Sequence, residues 1–129
     1  MNKVFKVGLI GCGHIAETYF RGHQYFNNFK IVACADINPK AAEKCAKLFN
    51  IKHLTVNEIL KDQNIEVILN LTIPQSHYSV SKRVLNAGKH VYSEKPLATY
   101  FEKGKELVSL AKKKKLYIGN APDTFLGGG

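Results

Sequence analysis

The chain has 129 residues and no apolar run near the roughly 18 consecutive positions that a membrane helix requires. It has no internal repeat and no low-complexity segment. Its three cysteines, Cys12, Cys34 and Cys45, are odd in number and form no C-x-x-C pair. That excludes a disulfide framework and argues for reduced thiols in a reducing compartment. Cys12-x-His14 could begin a metal site, but no further ligands follow at suitable spacing. A variable position inside a turn is the simpler reading, and no metal is expected. Acidic residues are scarce, 10 against 19 lysines and arginines, leaving a formal charge of +9 and a pI near 9.5. Such a balance raises nucleic acid as a partner. The densest basic run, Lys112 to Lys115, ends a predicted helix, where cations suit the negative end of the dipole and are ordinarily solvated. No aromatics interleave with it as a single-strand groove would need. Neither nucleic acid nor a membrane is therefore expected. Lys3 precedes the apolar stretch Val7–Ile10, but Lys6 interrupts it and the run is too short for a signal peptide, so the chain reads as cytoplasmic.

What the chain does have is concentrated near its start. Val7 to Ala16 reads V-G-L-I-G-C-G-H-I-A, a short apolar strand running into Gly11-Cys12-Gly13-His14-Ile15-Ala16. Asp36 closes a second apolar run, twenty positions beyond Ala16. Gly11 permits a tight turn out of the strand, and Gly13, lacking a Cβ, lets a pyrophosphate approach the backbone. Ala16 lets the helix lie close to the strand. The helix's first turn offers unpaired N–H groups and a positive dipole end to the phosphates. Asp36 stands where a carboxylate would accept hydrogen bonds from a ribose diol. The spacing therefore predicts a dinucleotide site.

Short apolar runs alternate with amphipathic stretches along the rest of the chain. The runs are Val4–Ile10, Lys30–Ala35, Val67–Leu71, His90–Ser93 and Leu116–Gly119, with a weaker one at His53–Thr55. Asn38-Pro39 reads as an N-cap with proline at the first helical position. Thr55-x-x-Glu58 and Thr99-x-x-Glu102 read as capping boxes. Ser76 is expected to cap the helix that Gly88 ends. Tyr19, Phe20 and Ile15 fall at helical spacing and are expected in the core, and His23, His53 and His90 are given structural roles. The predicted fold is α/β: one doubly wound parallel sheet in three layers, the Rossmann fold, with right-handed crossovers. The domain runs over 1–120, and 121–129 leaves it through Pro122 towards Gly127-Gly128-Gly129.

Three further segments narrow the reading. The fourth strand ends in Thr72-Ile73-Pro74 followed by His77, the fifth in Glu94-Lys95-Pro96, and the tail reads Ala121-Pro122-Asp123-Thr124-Phe125-Leu126-Gly127. With the glycine turn, this combination resembles the Gfo/Idh/MocA oxidoreductases over essentially the whole chain. The resemblance implies that Gly11, Gly13 and the amides of His14 and Ile15 hold the pyrophosphate, and Asp36 the adenosine ribose. It implies that Thr72, Pro74 and His77 line the cofactor, and that Glu94 and Lys95 reach the nicotinamide ribose. Lys95 would also be the catalytic residue, exchanging a proton with the substrate hydroxyl. The cofactor implied is NAD rather than NADP, and the substrate a sugar or polyol. Family members carry a second α/β domain that supplies most of the substrate pocket, a catalytic aspartate and histidine, and usually a homo-oligomer interface. The tail resembles the crossover into it. The chain thus reads as the cofactor-binding half of such an enzyme, inactive alone. A non-catalytic dinucleotide sensor is the rival from another class. A Rossmann-like methyltransferase is a weaker one, since it needs no base where Lys95-Pro96 stands.

Overall fold

The computed structural model describes residues 3–122. Six parallel strands form one sheet in the order β3-β2-β1-β4-β5-β6. They are β1 (Phe5–Ile10), β2 (Phe29–Ala35), β3 (Lys52–His53), β4 (Val67–Asn70), β5 (His90–Ser93) and β6 (Ile118–Asn120). The helices are α1 (His14–His23), α2 (Pro39–Phe49), α3 (Val56–Lys61), α4 (Pro74–Asn86) and α5 (Phe101–Lys114). The chain order reverses between β1 and β4, the switch point at which open α/β sheets bind ligands.

Both faces of the sheet are covered, which is why its central strands read as apolar runs rather than alternations. On one face Val7 and Leu9 of β1, Ile31 and Cys34 of β2, and Leu69 of β4 pack with Ala16 of α1 and Cys45 and Ala46 of α2. On the other, Ile10, Ala33, Ala35, Ile68 and Val91 meet Ile59 of α3, Val84 and Leu85 of α4, and Leu107 and Ala111 of α5. The expected doubly wound, three-layer sheet is the one found.

The punctuation was read correctly in part. Asn38 accepts from the Lys40 amide at 3.0 Å and caps α2, and Thr55 and Glu58 close a full capping box on α3. Thr55 is thereby spent on the helix, so β3 ends at His53 instead of reaching it. Two expected caps do not form. Pro74 takes the first position of α4, with Ile73 as N-cap, so Ser76 lies inside the helix. Helix α5 starts at Phe101 after Tyr100, which puts Glu102 one position too early to return to Thr99. Gly88 does end α4's turn at φ +81°. At the end of α5, Lys115 turns left-handed at φ 58° and the Leu116 amide bonds back to Ala111 at 2.9 Å. That closure uses Leu116, so β6 starts later than its apolar run. Ile15 also departs from expectation: in the first turn of α1, above the sheet's edge, it is 38% exposed, while Tyr19 and Phe20 pack against the core.

Leu107 is fully buried on the inner face of α5. Leu107→Ala should cost about 2–5 kcal/mol of stability through lost transfer energy and a residual cavity, read as a lowered urea midpoint with an unchanged slope.

Candidate functional site

The carboxyl ends of β1, β2, β4 and β5 bring the predicted residues to one edge of the sheet: Gly11 to Ile15, Asp36, Thr72 to His77, and Glu94-Lys95. Gly11 is held at φ +104°, and a Cβ there would lie 2.5 Å from the Leu71 carbonyl carbon and oxygen. Its lack of a side chain serves the fold itself, by letting the β1–α1 turn touch the end of β4. Gly13 is the opposite case. It is the N-cap of α1, in ordinary extended geometry, and an added Cβ would meet nothing within 4 Å. The open space lies in front of the first amides of α1, where the orphan donors of a helix N-terminus accept an anion. His14 and Ile15 are exposed beside it.

Asp36 is fixed before any ligand arrives. Its Oδ2 accepts from the Cys12 amide at 2.7 Å and its Oδ1 from the Asn38 amide at 2.8 Å. Each oxygen keeps a further lone pair for a hydroxyl. The same bonds tie the glycine turn to the end of β2, so the acid and the turn are held together.

The β4 loop is held from beneath by Asn70, which is fully buried. Its amide donates to the His77 carbonyl at 3.0 Å and to Ser81 Oγ at 2.9 Å. Its Oδ1 accepts from the Thr72 hydroxyl at 2.7 Å and the Thr72 amide at 3.3 Å. His77 does not face the cofactor edge as expected. It is 1% exposed, with Nδ1 2.5 Å from the Pro96 carbonyl oxygen and Nε2 2.7 Å from that of Thr72. The ring joins the β4 and β5 loops from inside. Thr72 and Pro74 remain on the accessible side.

At β5, the Lys95–Pro96 peptide is cis, Glu94 is half-buried and Lys95 is exposed. Glu94 Oε1 accepts from the Tyr19 hydroxyl at 2.8 Å, and Oε2 from the Lys95 amide at 3.0 Å. Burial, then the neighbouring Glu94 carboxylate, push the Tyr19 phenol up from its usual range, so it stays protonated to donate. Asn120 of β6 donates to the Ser93 and Glu94 carbonyls at 3.0 and 3.1 Å. Sequence reasoning missed Tyr19, Asn70 and His77 as the supports of this edge. Only a tyrosine on the inner face of α1 and a polar residue ending an apolar strand hinted at the first two. The tail's Asp123 to Gly127, read above as a crossover, lies outside the described residues.

A parallel sheet that gathers an anion cradle, a fixed acid and a lysine at its switch point defines a dinucleotide-binding oxidoreductase domain. The chain belongs to the Gfo/Idh/MocA family: the family model, described as an oxidoreductase family with an NAD-binding Rossmann fold, matches residues 5–121. An uncharacterised oxidoreductase of Schizosaccharomyces pombe is 38% identical over 95 residues, taking in 71% of this chain and 26% of that protein. An inositol 2-dehydrogenase/D-chiro-inositol 3-dehydrogenase of Lacticaseibacillus casei is 29% identical over 119 residues, 88% of this chain and 34% of its own. A solved structure of biliverdin reductase from a Synechocystis species, in complex with biliverdin and NADP+, is similar at a TM-score of 0.86 and 28% identity. That similarity covers 95% of this chain and 39% of that one. The chain thus spans about a quarter to a third of the length of the curated relatives it matches. Among the described residues no helix is long and apolar enough to cross a membrane.

The two glycines should separate cleanly. Gly11→Ala forces a Cβ into backbone at a left-handed φ and should cost more than about 2 kcal/mol, whereas Gly13→Ala should cost less than about 1 kcal/mol. Thermal melts of both variants check the contrast, and equal melting temperatures would contradict it.

Proposed function

We propose that the chain is the cofactor-binding part of an NAD-dependent oxidoreductase that moves a hydride between nicotinamide and a carbinol carbon of a sugar, polyol or related hydroxy compound. The observation that carries this reading is the convergence, on one sheet edge, of open space before Gly13, the doubly anchored Asp36 and the exposed Lys95. In support of the substrate class, one relative is named for inositols, which are polyols.

The residues present fit a dinucleotide. Gly11 and Gly13 would admit the pyrophosphate to the amides of His14 and Ile15, and Asp36 would accept from the adenosine ribose hydroxyls. Thr72 and Pro74 would flank the cofactor, and Glu94 with Lys95 would meet the nicotinamide ribose. Bound nicotinamide supplies the hydride acceptor or donor. The chain's own part is positioning and proton transfer. Lys95 Nζ would take the proton of the substrate hydroxyl as the carbinol carbon is oxidised, and return it in the reverse direction. In this reading the substrate pocket, and a homo-oligomer interface, belong to a second domain of the intact enzyme.

Asp36 would repel a 2′-phosphate, and Ile37-Asn38-Pro39 offers no arginine to receive one; Lys40 is the nearest cation in the sequence. Titration of the chain should therefore give tighter binding of NAD than of NADP at physiological salt, and Gly13→Val should abolish both while the far-ultraviolet circular dichroism stays native. Tighter NADP binding would overturn the cofactor assignment, and near-native affinity in Gly13→Val would move the phosphate site elsewhere.

In the intact enzyme, Lys95→Ala should lower kcat by about a hundredfold or more, with a much smaller change in cofactor affinity, as removal of a general base does. Steady-state kinetics beside cofactor titration measure both. An unchanged kcat would refute the proton-transfer role.

A further inference from the structure

Beside the dinucleotide edge, the fold gathers all three cysteines at one point. Cys12 lies between the two glycines of the β1–α1 turn, Cys34 near the end of β2, and Cys45 on the inner face of α2. Their sulfurs lie within 4.8 Å of one another. All three are free thiols, Cys34 and Cys45 buried and Cys12 half-buried. Sulfurs sharing one ion at a zinc–sulfur distance of about 2.3 Å stand about 3.8–4.0 Å apart, so side-chain shifts of about 1 Å or less close the set.

Access agrees with a ligand site. A cavity of about 320 Å³ between α1 and α2 opens onto Cys12 and Cys45, with Glu17 and Lys44 on its walls. The Cys12 thiol donates to the Ala35 carbonyl at 3.5 Å and the Cys34 thiol to the Ala42 carbonyl at 3.4 Å, weak bonds that a bound ion would replace. Thiolates select soft cations over those that prefer oxygen ligands. Among the described residues no fourth histidine, cysteine or carboxylate joins the three.

We propose that Cys12, Cys34 and Cys45 form a three-thiolate site for one thiophilic divalent cation of the zinc type, its fourth position turned to the cavity and taken by water. Binding replaces the three S–H protons with the ion and releases them to solvent, with no change of oxidation state. The cavity is also lined by Gly13 and His14, so the site borders the proposed pyrophosphate position; titration with metal in the absence of nucleotide keeps failure of one reading distinguishable from failure of the other.

The test is titration of the fully reduced chain with Co2+ alone, followed by displacement with Zn2+. The expected result is one Co2+ per chain, with thiolate-to-cobalt charge-transfer absorption that one equivalent of Zn2+ abolishes. Cys45→Ala and Cys12→Ala should each remove the band and weaken binding about tenfold or more. Metal-free circular dichroism and melting confirm that each variant is folded, and Cys12→Ala, at the half-buried position, serves if Cys45→Ala is not. Absence of the band at one equivalent, or its survival in a folded variant, overturns the proposal. So does a disulfide between two of these cysteines in chain purified without oxidant.

Discussion

The contact on which the rest of the site depends is the touch between Gly11 and the backbone at Leu71 and Thr72. It lies across the switch point, where the strands on either side lead away in opposite directions. A side chain at Gly11 would overlap a carbonyl at 2.5 Å, so the β1 and β4 loops can be this close only with glycine there. That distance sets where α1 begins, and the first amides of α1 set where an anion can lie. Everything else on the edge is placed relative to this pair of loops.

The loops are then locked by hydrogen bonds among the protein's own groups. Asn70 uses both ends of its amide beneath the β4 loop, and His77 spans from that loop to Pro96. Tyr19 reaches from α1 to Glu94, and Asp36 from β2 to the Cys12 amide. Hydrogen bonds thus tie the β2 loop to the β1 loop, α1 to the β5 loop and the β4 loop to the β5 loop, each of them at least partly buried, where their energetic value is greatest. The outcome is an edge whose accessible residues, Gly13, His14 and Lys95, rest on an ordered layer. Preorganisation of this kind lowers the ordering cost of binding.

The sheet was legible because burial on both faces writes consecutive apolar residues into β4, and because the glycine turn and Asp36 are fixed by local geometry. Helix starts were legible where one side chain decides them, as at Asn38 and Thr55. They were misread at Ser76 and Thr99, where Pro74 and the one-residue shift of α5 overrode a plausible cap. The supports of the edge were less legible, for a different reason. Tyr19 bonds to Glu94 across 75 positions and His77 to Pro96 across 19, and no local pattern encodes such pairs. His77 shows the consequence: the segment holding it was located correctly, yet its ring turns inward.

Cys12 joins these two kinds of information. Its position between two glycines states only that the turn tolerates it, and spacing alone pairs it with His14. In the fold its amide donates to Asp36, while its sulfur lies against the Ala35 carbonyl and within 4.8 Å of Cys34 and Cys45. The amide belongs to the nucleotide edge and the sulfur to the layer between β2 and α2. If the proposed ion drew the Cys12 backbone with its sulfur, the 2.7 Å bond would carry that shift to Asp36. Two sites meeting at one residue are coupled energetically whenever occupancy of either shifts it, and the coupling is reciprocal.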